Sequence, residues 1–144
     1  MINGVEFDFV VKDSKAALEQ YKSIFNVEVV EVTNFKVGNN EAVFNIFGTR
    51  FHMLDENPEY QLFAPKEGET QSFWFNVVVP NIQETYDKAM AAGATEIQPV
   101  TKMEEMGVSN AMFSDSYGYV WMLHEIHREV SFEERVDILS KDFE

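Results

Sequence analysis

The sequence predicts an α+β fold of two βαβββ units in tandem, followed by one extra helix. Two observations carry this. The stretch Gly4 to Phe25, GVEFDFVVKDSKAALEQYKSIF, reads as strand, turn and helix in one piece, and the same phrase returns as Phe73 to Gly93, FWFNVVVPNIQETYDKAMAAG. The shift is 68 residues, so that Glu6 matches Trp74, Asp13 matches Asn81 and Leu18 matches Tyr86. A chain that repeats one unit in each half is most simply two copies packed together.

The elements follow in order. Residues 5–11 alternate β-branched and aromatic types, which favours an extended strand. Asp13 or Ser14 caps the next helix, and Ala17, Leu18, Tyr21 and Phe25 give it an apolar face. Val27 to Phe35 alternates as a second strand. Ala42 to Phe47 and Arg50 to Leu54 form a hairpin joined at Gly48-Thr49. This first module covers about residues 1–55. Residues 56–71 carry Pro58, Pro65 and Gly68 without periodicity and read as a linker.

The second module covers about 72–126. Ser72 to Val79 is a strand, and Asn81 with Glu84 opens a helix with a capping-box pattern that Gly93 closes. Thr95 to Thr101 is a strand in which Pro99 marks an edge or a bulge. Lys102 to Val108 reads as a loop, and Ser109 to Ser114 and Tyr119 to His124 close the unit around Tyr117-Gly118. Ser131 and Glu134 then box the start of a helix over about 131–142, whose stripe of Phe132, Val136, Leu139 and Phe143 must pack on the domain or on a second subunit.

Composition bounds the function. The 144 residues suffice for a single domain, and no apolar run approaches the roughly 20 residues of a membrane span. The net charge of −14 repels phosphate backbones and anionic lipid, so neither nucleic acid nor membrane is an expected partner. There is no cysteine, which excludes disulfides and thiol catalysis. The N-terminus has no basic segment ahead of an apolar stretch, and a cytoplasmic location is expected. The sequence displays no Ser-His-Asp set, phosphate loop or glycine-rich dinucleotide motif.

The segments VVKDSKAALEQYKSIF, VVPNIQETYDKAMAAGA and SDSYGYVWML are similar to those of the vicinal oxygen chelate superfamily, which includes glyoxalase I, bleomycin resistance proteins and extradiol dioxygenases. FHMLDENPE and HREVSFEERVDIL resemble its PhnB-like branch. The resemblance implies that the modules curl into a cupped mixed sheet and that the protein is a homodimer. It also implies four ligand positions, on the first and last strand of each module: Glu6, His52, Trp74 and Met122. Glu6 and His52 are the only candidate metal ligands among them, since an indole and a thioether do not serve a hard or borderline cation. No bound metal and no cofactor are expected.

Alternation puts Glu6, Asp8 and Val10 on one face of the first strand and Phe7, Phe9 and Val11 on the other, against the helix. The two carboxylates either stand solvated at a strand's start or share the cup as a proton-holding or cation-binding pair. By the same parity Trp74 and Asn76 face the cup, where Trp74 is either core or a stacking platform. His124 and His127 lie past the last strand and read as surface residues. Asp55 and Glu56 serve the turn before Pro58. Met103, Met106 and Met112 form a lid, fill gaps or meet a second subunit. The expected function is metal-free binding of a small, planar, neutral or cationic molecule by Glu6, Asp8, His52, Trp74, Asn76 and Met122. The alternatives are a lyase, isomerase or dioxygenase using metal or a carboxylate base, and a structural or regulatory dimer.

Overall fold

The computed structural model describes residues 3–143 and contains two four-stranded sheets, each with its own helix. In the first, β1 (Phe7–Val11), β2 (Val27–Val32), β3 (Glu41–Ile46) and β4 (Thr49–Asp55) lie in the order β1-β4-β3-β2, with α1 (Ser14–Ile24) after β1. In the second, β5 (Phe75–Val78), β6 (Thr95–Met103), β7 (Val108–Ser114) and β8 (Val120–Ile126) repeat that order as β5-β8-β7-β6, with α2 (Ile82–Ala91) after β5. In each sheet the first strand pairs parallel with the last and all other pairs are antiparallel. The expected α+β architecture of two βαβββ modules and a C-terminal helix, α3 (Phe132–Ser140), is therefore present. None of the helices among the described residues is long and apolar enough to cross a membrane.

Local chemistry sets the boundaries. Asp13 caps α1 by accepting from the Ala16 N–H, and Asn81 caps α2 by accepting from the Glu84 N–H. Ser131 caps α3 in the same way. Gly93 follows α2 at φ 92°, the left-handed conformation that glycine adopts without strain. The β6–β7 register shifts between Gln98 and Thr101, around Pro99, as that proline requires on an edge strand.

Three of the expected element boundaries need correction. The β3–β4 turn is Phe47-Gly48 rather than Gly48-Thr49, because Ile46 pairs directly with Thr49 and both turn residues take positive φ. Lys102 and Met103 continue β6 instead of starting a loop, and only one turn of 3-10 helix (Glu104–Met106) separates β6 from β7. His124 lies within β8, not beyond it.

The apolar faces of both sheets meet in one aromatic core. Tyr21 of α1 packs against Phe9, Phe44 and Trp121 at ring-centroid distances of 6.5, 5.9 and 5.2 Å. Phe75 lies 5.3 Å from Phe9 and 4.5 Å from Trp121. Two buried carboxylates anchor the frame. Asp55 accepts from the Ser14 N–H and Oγ–H and from the Gly38 and Asn40 N–H groups at 2.7 to 2.9 Å, so it ties β4 to α1 and to the β2–β3 loop rather than serving the turn before Pro58. Burial acts to raise its pKa, but these donors, Ser14 foremost, outweigh burial and hold it below the ordinary value.

Asp115 accepts from Tyr21 OH at 2.6 Å, Trp121 Nε1–H at 3.0 Å and the Tyr117 and Tyr119 N–H groups at 2.8 and 3.0 Å. Removing that carboxylate strands the Tyr21 hydroxyl and the Trp121 indole N–H in the core, at about 1–3 kcal/mol for each buried unsatisfied group. Asp115→Ala is expected to lower unfolding free energy by about 3 kcal/mol or more, read as a lower urea midpoint at unchanged slope.

Candidate functional site

With Phe9, Val11, Phe51 and Met53 turned into the core, alternation sends Asp8, Val10, His52 and Leu54 to the opposite face of the first sheet. The parallel β1–β4 register sets Asp8 beside His52. His52 Nδ1 comes within 3.1 Å of Glu6 Oε1 and 3.5 Å of Asp8 Oδ2, while its Nε2 lies 3.6 Å from Glu41 Oε2. Arg50 Nε–H donates to Glu6 Oε2 at 2.6 Å. The structure thus brings Glu6, Asp8 and His52 into one cluster.

These contacts separate the two carboxylates. The Arg50 guanidinium, and then His52, hold the Glu6 carboxyl down at about 2. Burial, and then the hydrogen-bonded Glu6, push Asp8 above its ordinary value.

A divalent cation is half-accommodated here. Glu6, Asp8 and His52 offer three donor atoms within 4.8 Å of one another, two carboxylate and one imidazole. His52 Nε2 is buried without a hydrogen-bond partner. Yet one oxygen of Glu6 is already bonded to the Arg50 cation. The matching positions of the second module, Trp74 and Met122, add no hard donor.

The second sheet presents a different outer face. Asn76 sits beside Met122 in the β5–β8 register, and its Oδ1 lies 2.6 Å from His124 Nδ1. Burial lowers the His124 pKa. Trp74 precedes β5 and is 56% exposed, which rules out the core reading.

Between the edges of β1 and β5 runs a groove of about 720 Å³. Among the described residues, seven aromatic rings line it (Phe7, Phe9, Phe47, Phe51, Phe73, Trp74 and Phe75), and Asp8 is its one charged residue. Of the expected site residues, Asp8, Trp74 and Asn76 line this groove, whereas Glu6, His52 and Met122 do not. Phe7 was expected against the helix; it is 54% exposed and forms part of the groove wall. Met103, Met106 and Met112 are not among the lining residues; Met103 Sδ instead accepts from Asn110 Nδ2.

One constellation escaped the sequence. Ser109 Oγ lies 2.8 Å from His127 Nε2, and His127 Nδ1 lies 3.0 Å from Glu125 Oε2. The three are close because Ser109 and Glu125 face each other across the β7–β8 ladder. Nothing in their linear spacing signals this, although His127 two residues after a strand-end glutamate was a usable hint.

The separation of the two carboxylates has a direct readout. Side-chain NMR titration is expected to give a Glu6 midpoint near 2 and an Asp8 midpoint above the ordinary 3.8. Stability contributed by Glu6 is present above its ordinary 4.5 and is lost as pH falls toward 2, whereas Asp8 is favourable below 3.8 and its cost appears as pH rises. Arg50→Ala is expected to return Glu6 toward 4.5; an unmoved midpoint would refute the guanidinium as cause.

Residues 4–123 match the family model of the glyoxalase/bleomycin resistance protein/dioxygenase superfamily. A search of curated proteins returns no match. Among solved structures the chain resembles the fosfomycin resistance protein FosX from Listeria monocytogenes complexed with Mn(II) and sulfate, with a TM-score of 0.68 at 18% identity over 96% of this chain and 99% of that one. It likewise resembles TioX from Micromonospora sp. ML1 (TM-score 0.64, 17% identity, 87% and 100% covered) and the PhnB protein from Bacillus cereus (TM-score 0.62, 18% identity, 85% and 99% covered). At these identities the likeness is one of fold.

Proposed function

The chain belongs to the glyoxalase/bleomycin resistance protein/dioxygenase superfamily, and from that premise we propose that it binds a small, planar, neutral or cationic organic molecule in the β1–β5 groove, without a metal. The observation that carries this reading is the groove's lining: seven aromatic rings and a single carboxylate in about 720 Å³. That volume is in the range of small-molecule sites, and aromatic faces attract flat and cationic groups. Asp8 supplies the one charge, and it is negative. An anionic ligand would meet Asp8, with Glu6 and Glu41 close behind around His52.

A second reading is favoured by the convergence of Glu6, Asp8 and His52: these three hold a divalent cation that polarises a bound oxygen, as in an enzyme of the superfamily. The Arg50 cation at 2.6 Å from Glu6 weighs against it, since it already neutralises that corner. We also propose a homodimer. The expected single helix ends at Ser140, and Phe132, Val136 and Leu139 on α3 are 70, 48 and 42% exposed while Phe143, in the 3-10 turn Lys141–Phe143 that follows, is 83% exposed; together they form an apolar stripe that a second copy would cover.

A thermal-shift screen of aromatic cations, neutral heterocycles and aromatic carboxylates tests the first reading, because a ligand bound only to the folded form raises the melting point. Cations and neutral planar compounds are expected to raise it. Trp74→Ala should weaken them by about 1 kcal/mol or more, and Asp8→Asn should weaken the cations alone. Stabilisation by carboxylates only would overturn the charge assignment. Calorimetric titration with Mn(II) decides the second reading: tight one-to-one binding that disappears in His52→Ala establishes the metal site instead. Light scattering is expected to give twice the chain mass of 16.6 kDa at micromolar concentration, and the monomer mass would exclude the dimer.

A further inference from the structure

Away from the groove, where the end of β8 meets the start of β7, we infer that Ser109, His127 and Glu125 form an acyl-accepting catalytic set, with Ser109 as nucleophile, His127 as general base and Glu125 as the group that orients the base. The class of substrate is an activated ester of a small carboxylic acid.

The geometry is the one such chemistry needs. Ser109 Oγ stands 2.8 Å from His127 Nε2, within reach for proton transfer. His127 Nδ1 stands 3.0 Å from Glu125 Oε2, so the proton on Nδ1 is held by the carboxylate and the Nε2 lone pair faces the serine hydroxyl. Glu125 is itself fixed, because its Oε1 accepts from the Ile82 N–H at the start of α2, at 3.0 Å. The backbone of His127 is pinned as well: its N–H donates to Gly107 O at 2.8 Å. Gly107 must be glycine for this approach, since a Cβ there would meet Arg128 at 2.6 Å. All three side chains are therefore positioned by regular ladder structure, a helix start and a glycine turn.

Burial sets the substrate size. Ser109 is 4% exposed, while the His127 and Glu125 side chains are 34 and 23% exposed. Exposure this low limits the inferred substrate to a flat carbonyl carrying a short acyl chain. As Oγ attacks the carbonyl carbon, its proton passes to His127 Nε2. The bond to the leaving oxygen then breaks and that oxygen takes the proton back, leaving Ser109 acylated. A water deprotonated by His127 releases the acid and restores the hydroxyl. No oxidant, reductant or cofactor enters.

The test uses the full chain and p-nitrophenyl acetate as the probe, followed by release of nitrophenolate, intact mass and peptide mapping. One acetyl group on Ser109 is expected, with none in Ser109→Ala. His127→Ala should slow acylation by about 100-fold or more, the usual contribution of a positioned base, and added imidazole should restore part of the rate. Glu125→Gln should slow it at least about tenfold. Far-UV circular dichroism and the melting temperature of each variant separate loss of chemistry from loss of fold. Acetylation at the wild-type rate in Ser109→Ala, acetyl mapped only to lysines, or folded His127→Ala that labels as fast as wild type would each overturn the assignment.

Discussion

The fold depends most on one buried carboxylate. Asp115 receives the Tyr21 hydroxyl from α1 and the Trp121 indole from β8 on the same oxygen, while its other oxygen closes the turn between β7 and β8. It thereby joins a helix of the first module to a strand of the second. Gln20 reinforces the joint by donating to Ser116 Oγ and Ala92 O. A lone buried charge is costly, and four donors offset that cost here. The other buried carboxylate, Asp55 in the first module, is satisfied locally and ties its own module together. The two modules repeat in topology, but of these two carboxylates only Asp115 accepts a bond from the other module.

The position of the joint decides which surfaces remain for function. Tyr21, Phe9, Phe75 and Trp121 fill the space between the modules, so most of the apolar face of each sheet lies in the core and only its β1 and β5 edges reach the groove. The opposite faces are left outside, and here the repeat has diverged. The first carries Glu6, Asp8, Glu41, Arg50 and His52, a network of charges. The second carries two uncharged-partner pairs, Asn76 with His124 and Gln98 with Asn110. A net charge of −14 thus includes a local acidic patch on one module and nothing equivalent at the same place on the other.

The fold was largely legible because its signals are local. Capping residues at Asp13, Asn81 and Ser131 and the alternation in β1 and β5 act within a few residues, and the topology follows from their repetition. The approach of Glu6, Asp8 and His52 was legible in part, because parity fixes faces once the register is known. What was hidden lies between elements. The β1–β5 groove exists only when two strand edges approach, which no spacing encodes. Ser109 and Glu125 are cross-strand neighbours 16 residues apart in sequence, and His127 joins them only because Gly107 lets the chain fold back. Asp55 read as a turn residue because its four donors come from two distant segments, Ser14 and the Gly38–Asn40 loop.

Phe47 shows how the groove and the backbone constrain each other. The two-residue turn between β3 and β4 requires positive φ at both positions, and Phe47 takes it at 47° beside Gly48 at 79°. Asparagine or glycine would close the same turn with less strain; a bulky side chain there costs of order 1–3 kcal/mol and persists only where the surroundings hold it. The turn geometry alone gives no reason for an aromatic residue, and 64% of that ring's surface is exposed, so burial within the chain does not repay the strain either. What the phenylalanine adds is a ring on the groove wall. Under the proposed binding reading, a ligand seated in the groove would cover that ring and offset the strain that the isolated chain leaves uncompensated.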